Sequence, residues 1–202
     1  MESVLSQVIY QVPHAHSVRR GLICPVEAYV KELPSGSYTG ATWRAVYNQA
    51  VIHNAPRNHV IADLLLGLKE AGKSTLCLVK EIEHGEILSK LTGIPFANGE
   101  SGDSGEFISK FSSRSLDVLI GTTGVLGEGV DTKPAEYIII AGLGKAKNSF
   151  LQWVGRGFRV YPGKDSCKVI LLLDKGHKWT RDHYNTQRRI LKEEFGIEVV
   201  KI

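Results

Sequence analysis

The sequence predicts an α/β fold in which helices cover both faces of a parallel sheet. From about residue 75 onward, short runs rich in Val, Ile and Leu alternate with segments whose apolar residues recur at spacings of three and four. The first pattern is typical of strands buried on both faces, and the second is typical of helices. Their alternation indicates strand–helix–strand units, which favour parallel pairing.

Five candidate strands match the first pattern, and four helices match the second. The strands are TLCLV (75–79), IPFA (94–97), DVLIG (117–121), EYIIIA (136–141) and CKVILLL (167–173). The helices are IEHGEILSKL (82–91), SGEFISKFSS (104–113), NSFLQWVGRGFR (148–159) and a last helix at about 178–195. Upstream, NHVIADLLLGLKEAG carries its apolar residues on one helical face and ends near Gly72, a residue type common at helix C-termini.

The first 50 residues differ in character from the rest of the chain. VIYQV (8–12) precedes a loop with two histidines, and RRGLICPVEAYVKELP precedes the Ser/Gly stretch SGSYTG. We interpret residues 1–50 as a small β-containing N-terminal extension that leads into a helix near 42–54. Residues 51–202 are a suitable length for one α/β domain with its own core.

Composition and charge argue against several classes of protein. No apolar run approaches the roughly 18 residues needed to cross a membrane, and the start of the chain does not resemble a secretory signal. Three cysteines without C-x-x-C spacing suggest structural thiols in a reducing compartment, and hence a cytoplasmic protein. His14 and His16 have no third ligand at metal spacing, so no metal site is predicted. A net charge of +4 permits nucleic-acid binding but is too small to argue for it.

The segment GLKEAGKS, residues 67–74, matches the P-loop pattern G-x-x-x-x-G-K-[ST]. A P-loop joins a strand to the N-terminus of a helix, whereas this segment lies between a predicted helix and a predicted strand. We therefore interpret Gly72 as a helix end and Lys73 and Ser74 as the entry to a strand, with an ATP site here as the less favoured alternative. EIEH (81–84) resembles the D-E-x-H motif that positions magnesium, but it has the wrong order of acids and is interpreted as the entry to a helix.

The stretch FLQWVGRGFRVYPGK, residues 150–164, carries the strongest functional signal. Gln152, Gly155, Arg156 and Arg159 form the pattern Q-x-x-G-R-x-x-R on a predicted helix that follows a strand. Because residues three apart face the same side of a helix, the two guanidinium groups are predicted to lie together. Paired arginines suit phosphate oxygens, although two solvated arginines on an amphipathic helix would show the same spacing.

A second polar stretch, GTTGVLGEGVD at 121–131, follows another predicted strand. Ligands bind outside the carboxyl ends of parallel strands, so we expect this loop and the arginine helix to share an anionic ligand. Thr122 and Thr123 offer hydroxyl groups, and Gly127 and Gly129 permit close approach of the backbone. Asp131 offers a carboxylate that could accept a hydrogen bond from a ribose hydroxyl.

These two stretches together resemble motifs V and VI of superfamily 2 helicases, which lie in the second RecA-like domain of those enzymes. VLIGTTGVLGEGVD is similar to motif V, LQWVGRGFR to motif VI, and LVKEIEHGEIL (78–88) to motif IV. Their order and spacing agree with the family over roughly residues 42–195. Within the superfamily, the chain looks most like phage helicases of the UvsW type and their XPB-like relatives. The resemblance implies a RecA-like fold for residues 51–202 and an origin in a bacterium or a phage-infected host cell.

The resemblance also implies a division of roles between two domains. In such enzymes the first RecA-like domain carries the P-loop and acidic box that hold ATP and Mg²⁺, and the second supplies arginine fingers. By position, Arg159 is the expected finger, Arg156 its partner, and Gln152 a link between nucleotide and nucleic acid. The residues implied to contact or couple ATP are Gly127, Glu128, Gly129 and Asp131. The residues implied to contact the nucleic-acid backbone, expected to be DNA, are Lys80, His84, Thr122, Thr123 and Gly124.

The chain departs from the family pattern in three respects. SGDSGEFISKF lacks a clear arginine before motif V, the turn after Asp131 is one residue longer, and no sound P-loop or acidic box is present. The chain alone is therefore not expected to hydrolyse ATP. We predict the C-terminal half of an ATP-dependent DNA helicase or branch-migrating translocase, with residues 1–50 as an interdomain connection or the tail of domain 1. The alternative is a RecA-like module that binds nucleic acid or regulates another ATPase without catalysis.

Overall fold

The computed structural model describes residues 14–126, 132–142 and 144–202, and the predicted segment VIYQV (8–12) lies outside these ranges. The strands are β1 (Val26–Glu32), β2 (Thr75–Val79), β3 (Phe96–Ala97), β4 (Val118–Thr122), β5 (Tyr137–Ile140), β6 (Cys167–Leu173) and β7 (Val199–Lys201). The helices are α1 (His14–Arg19), α2 (Trp43–Tyr47), α3 (Ala55–Glu70), α4 (Ile82–Thr92), α5 (Ser104–Ser112), α6 (Lys147–Gly157) and α7 (Lys178–Phe195). A π-helical turn, Asn48–Ile52, continues α2.

These strands form one sheet in the order β3-β4-β2-β5-β6-β1-β7, and every neighbouring pair is parallel. The register places Thr75 of β2 opposite Val118 of β4 and Tyr137 of β5. Since the strands run in one direction, their carboxyl ends meet at a single edge of the sheet. The predicted α/β fold with a parallel sheet is confirmed.

Helices cover both faces of this sheet, as the apolar runs predict. Successive residues of a strand point to opposite faces, so Leu76 and Leu78 of β2 lie in one core cluster and Cys77 and Val79 lie in the other. The first cluster packs against α5, α6 and α7, and the second packs against α3 and α4. A third, smaller cluster joins α2 and the π-helical turn.

Strand β1 shows that Val26–Glu32, within the predicted N-terminal extension, belong to the main sheet. β1 pairs with β6 along its whole length, from Val26 opposite Cys167 to Glu32 opposite Leu173, and with β7 on its other side. The predicted β content of this region is therefore present, but it lies inside the main sheet. A boundary near residue 50 does not divide two structural units.

The segment that matches the P-loop pattern has the helix-turn-strand structure predicted for it. Helix α3 ends at Glu70, Gly72 has a φ of +63°, and β2 begins at Thr75. The backbone N–H of Ser74 donates to Glu136 Oε2 at 3.1 Å, and Lys73 Nζ lies 3.5 Å from Glu136 Oε1. Because the amides do not converge at a helix N-terminus, this segment lacks the geometry of a phosphate-binding loop.

Replacing Gly85 with alanine is expected to lower the free energy of unfolding by about 1–3 kcal/mol, because added volume strains a packed core. Gly85 lies in α4, and a Cβ there would collide with the ring of Phe96 in β3. Urea denaturation followed by circular dichroism measures the change.

The matched control is Gly67→Ala in α3, where a Cβ would meet nothing within 4 Å. This substitution should stabilise the protein by about 0.5–1 kcal/mol, because alanine has the higher helix propensity. A Gly85→Ala protein as stable as the wild type would contradict the close packing of α4 on β3.

Candidate nucleotide and nucleic-acid site

The candidate site lies at the carboxyl edge of the sheet, around the ends of β2, β4 and β5. From β2 the chain proceeds to β3 on one side, and from β5 it proceeds to β6 on the other, so the connections diverge between these neighbouring strands. Ligands of open parallel sheets bind at such points of divergence. Lys80, Thr123 and Gly142 follow near the three strand ends. A Cβ built on Gly142 would lie 3.2 Å from the Lys80 backbone nitrogen, so the strand ends are closely packed.

Helix α6 presents one open face and one buried face. Phe150, Trp153 and Val154 enter the core, which fixes the helix on the sheet. Gln152 is exposed, and a Cβ at Gly155 would meet nothing within 4 Å. The open face can therefore be approached closely, as the glycine in the sequence pattern predicts.

The Arg156 side chain is buried, with only 8% of its surface exposed. Its guanidinium carbon lies 4.8 Å from the centre of the Trp153 ring, and Nη1 donates a hydrogen bond to Thr132 Oγ1 at 3.3 Å. Thr132 directly follows the segment 127–131 of motif V. Arg156 therefore connects motif VI to the end of the motif V loop.

Arg159 lies outside α6, because the predicted helix over 148–159 runs two residues past the observed end at Gly157. The helix ends at Gly157, Phe158 is its C-terminal cap, and Arg159 is exposed beyond it. Phe158 turns into the core, where its ring lies 4.9 Å from the Phe195 ring. The prediction that Arg156 and Arg159 share a helical face is therefore wrong, since one is buried and the other lies past the helix end.

Lys164 is a buried residue that sequence reasoning did not single out. It is 8% exposed, and its Nζ donates to the carbonyl oxygens of Gly157 at 2.9 Å, Arg159 at 3.1 Å and Lys133 at 3.3 Å. An ammonium group has three donors, and all three are used here. Lys164 therefore fixes the end of α6, the backbone that carries Arg159, and the segment after motif V with respect to one another.

Only part of the motif V loop belongs to the described residues. Gly127, Glu128, Gly129 and Asp131 lie outside them. Thr122 is buried and ends β4, Thr123 is half-buried, and Gly124 is exposed with open space beside it. The Thr123 backbone N–H donates to Val79 O at 3.0 Å, so it is not free to bind a phosphate. Thr123 and Gly124 thus face solvent at the carboxyl edge, whereas Thr122 is part of the sheet.

Lys80 and His84 have different environments, although motif IV places both near the strand end. Lys80 is exposed, with its Nζ 3.5 Å from Glu81 Oε1 and 5.7 Å from the centre of the Tyr47 ring. His84 is fully buried, and its Nε2 lies 3.1 Å from Asn58 Oδ1. A side chain in the interior cannot touch a nucleic-acid backbone, so the predicted contact of His84 is corrected to a structural bond between α4 and α3.

A buried polar network behind the site was also missed at the sequence level. Arg57 is 5% exposed, and its Nη2 donates to the carbonyl oxygen of Ala141. Tyr47 OH donates to Gly142 O at 2.6 Å, so two side chains hold the carbonyl groups that follow β5. Burial lowers the pKa of Arg57 and raises that of Tyr47. The residues are far apart in sequence, and no local spacing indicates their contact.

The described part of the chain contains neither a cluster of metal ligands nor a helix that could span a membrane. Within residues 14–126, 132–142 and 144–202, no group of three or more His, Cys, Asp or Glu side chains is placed to hold a metal ion. Across the same residues, no helix combines the length and apolar character needed to span a bilayer.

The order of the parallel strands and the helices on both faces define a RecA-like α/β fold, which the chain shares with T4 UvsW and with the C-terminal domain of the DEAD-box protein Dbp5. The resemblance drawn from motifs IV to VI is confirmed at the level of the fold.

Three solved structures share this fold. T4 UvsW matches with a TM-score of 0.68 and 16% identity, over 89% of this chain and 41% of that chain. The C-terminal domain of the DEAD-box protein Dbp5 matches with a TM-score of 0.61 and 15% identity, over 88% of this chain and 89% of that chain. Saccharomyces cerevisiae Dbp5 bound to RNA and ADP-BeF3 matches with a TM-score of 0.61 and 17% identity, over 88% of this chain and 41% of that chain.

Among curated proteins, IRC3 of Saccharomyces cerevisiae is 28% identical over 122 residues. IRC3 carries the provisional name of an ATP-dependent helicase, and the match covers 56% of this chain and 18% of IRC3. The chain therefore spans less than half the length of UvsW and about a fifth of IRC3. No family model matches the sequence.

Acidification is expected to destabilise the fold through His84. Burial lowers the pKa of His84 from 6.5 to about 3, so between these pH values the unfolded chain binds a proton that the folded chain does not. The contribution of neutral His84 to the free energy of unfolding is therefore present above pH 6.5 and is lost as the pH decreases toward 3. The loss is about 2 kcal/mol between pH 7 and pH 5. Urea denaturation at the two pH values measures the difference. His84→Gln should flatten this dependence and His59→Gln, at an exposed position, should not; equal slopes in all three proteins would contradict the assignment.

Replacing Lys164 with methionine is expected to lower the free energy of unfolding by about 2–4 kcal/mol, because three carbonyl oxygens lose a charged donor. Thermal and urea denaturation measure the loss. Lys175→Met is the control, because Lys175 pairs with Glu32 at the surface and exposed pairs contribute about 1 kcal/mol or less. Equal losses in the two variants would argue against the stabilising role that we assign to the three hydrogen bonds of Lys164.

Proposed function

We propose that the chain is the second RecA-like domain of an ATP-dependent DNA helicase or translocase, and that it completes an ATP site whose P-loop lies on another domain. The observation that supports this most directly is the arrangement at the end of α6. Arg159 is exposed, while its backbone carbonyl accepts a hydrogen bond from the buried Lys164. Arg156, in the same motif, donates a hydrogen bond to Thr132 at the end of the motif V loop. An exposed arginine on a fixed backbone is suited to reach a phosphate group across a domain boundary.

In this proposal Arg159 is the arginine finger, and its guanidinium stabilises negative charge that develops during phosphoryl transfer. Arg156 acts through position, since its side chain is buried against Trp153 and Thr132. Gln152 lies on the open face of α6, from which it can couple the nucleotide to the nucleic acid. Gly127, Glu128, Gly129 and Asp131 are proposed to contact ATP as the family resemblance implies. ATP and Mg²⁺ would be held chiefly by the P-loop domain.

The nucleic-acid contacts are proposed for three residues of the carboxyl edge, namely the exposed Lys80 and Gly124 and the half-buried Thr123. A lysine and a glycine-rich turn suit sequence-independent contacts with phosphates, which a translocating protein needs. His84 is left out of this set because its side chain is buried, and Thr122 contributes mainly through the sheet. We favour DNA by analogy with UvsW-type helicases, and the Dbp5 structure with bound RNA supplies the competing possibility.

The proposal predicts opposite outcomes for two basic residues when the chain is joined to a P-loop RecA-like domain in the two-domain enzyme. Arg159→Ala should reduce DNA-stimulated ATP hydrolysis by about 1,000-fold or more, as expected for an arginine finger. Lys73→Ala should leave the rate nearly unchanged, because Lys73 lies before the amino end of β2, where it pairs with Glu136, and the candidate site lies at the carboxyl end. Steady-state ATPase assays with DNA and with RNA measure both effects.

Three outcomes would change the proposal. Loss of activity in Lys73→Ala with activity retained in Arg159→Ala would overturn the assignment. ATPase stimulation by RNA alone would redirect the substrate from DNA to RNA. A chain that binds nucleic acid but gains no ATPase activity with any P-loop partner would be a non-catalytic RecA-like module.

A further inference from the structure

Trp43, at the start of α2, is a large aromatic residue in an unusual place. Its indole is half-buried at the carboxyl edge of the sheet, where it lines two adjoining grooves of about 380 Å³ and 450 Å³. Lys80 lines both grooves as well. A tryptophan that combines partial exposure with a polar groove is more typical of a recognition surface than of a core.

The smaller groove is lined by residues that follow the ends of β2, β4 and β5, where the chain connections diverge and ligands of parallel sheets bind. The smaller groove is lined by Trp43, Lys80, Thr123, Lys145, Ser149 and His183, among others. This lining includes two lysines and no acidic side chain, although Lys145 also lies 3.6 Å from Asp182. The larger groove is lined by two acidic side chains, Glu81 and Glu83, and by two basic ones, Arg44 and Lys80. The smaller groove, with two lysines and no acid, therefore favours phosphate groups more than the larger one does.

The indole of Trp43 is held in place by other rings. The His183 ring centre lies 4.1 Å from that of Trp43, and the rings of Tyr47 and Trp179 meet it edge-on at 5.3 Å and 6.1 Å. Burial and the charges of Lys145 and Lys80 lower the pKa of His183 to about 4, so this ring is neutral near pH 7. Because the indole is already fixed, the Trp43 side chain would lose little conformational entropy when a planar group stacks on it.

We propose that Trp43 is a base-stacking residue for single-stranded nucleic acid, whose phosphates follow the lysine-lined groove while one base packs on the indole. This inference rests on the proposed function, because it adds a base contact to the backbone contacts already assigned to Lys80 and Thr123. Every nucleobase offers a planar π-face, so stacking of this kind grips the strand without reading its sequence. The site would hold one nucleotide in place as the strand passes the end of β2.

The test compares two 15-mer oligonucleotides that carry the same phosphates, oligo-dT and its abasic analogue, by fluorescence anisotropy with the 202-residue chain. The wild type should bind oligo-dT about ten-fold more tightly, the size of one stacking contact. Trp43→Leu removes the ring but keeps apolar volume, and it should abolish this preference. Trp43→Phe keeps a ring and should retain most of it. Thermal denaturation checks that both variants are folded.

Lys80→Ala separates this inference from the proposed function. It should weaken binding of both oligonucleotides by a similar factor and reduce the salt dependence, as a phosphate contact does. Equal weakening of both oligonucleotides by Trp43→Leu, no effect of it on either, or identical behaviour of Trp43→Leu and Trp43→Phe would each overturn the stacking role while leaving the phosphate contacts intact. A wild-type chain that binds neither oligonucleotide would overturn both proposals.

Discussion

The hydrogen bonds that Arg57 and Tyr47 donate to the carbonyl oxygens of Ala141 and Gly142 are the contacts on which the functional edge depends. Parallel strands leave carbonyl groups unpaired at their ends, and buried carbonyls without donors are costly. Here the donors come from α2 and α3, which precede the motif-bearing half of the domain. These bonds attach α2 and α3 to the end of β5, and so bring Trp43 of α2 to the edge where Lys80 follows β2.

Lys164 likewise donates to backbone carbonyl oxygens, at the end of α6 and in the segment after motif V. A charged side chain is costly to bury unless its donors are satisfied, and Lys164 satisfies all three with carbonyl oxygens. Arg57 and Lys164 are thus buried cations that fix the backbone of the candidate site, one behind the groove proposed for nucleic acid and one beneath the proposed arginine finger. The Arg159 side chain can remain exposed while its backbone is fixed, because Lys164 Nζ donates to the Arg159 carbonyl oxygen.

The fold could be predicted from sequence wherever the pattern of apolar residues is regular. β2, β6 and α7 begin and end where their apolar patterns indicate, whereas β3 is shorter than IPFA, since Pro95 has no N–H to donate to a ladder. The site was less accessible to such reasoning. Periodicity continues through Arg159, but the helix stops at Gly157 because Phe158 packs into the core. The bond of Arg57 to Ala141, that of Lys164 to Lys133 and the contact of Trp43 with His183 each join residues far apart in sequence, so no local spacing could have revealed them.

The position of β1 inside the sheet governs how the domain can be assembled during synthesis. β1 needs β6 and β7 as its neighbours, and both are made after every other strand. At translation rates of about 5–20 residues per second, β1 waits on the order of 10 s with both of its edges unpaired. An unpaired strand is a template for association with other chains. The nascent chain therefore passes through an aggregation-prone interval that ends only when its last strands leave the ribosome.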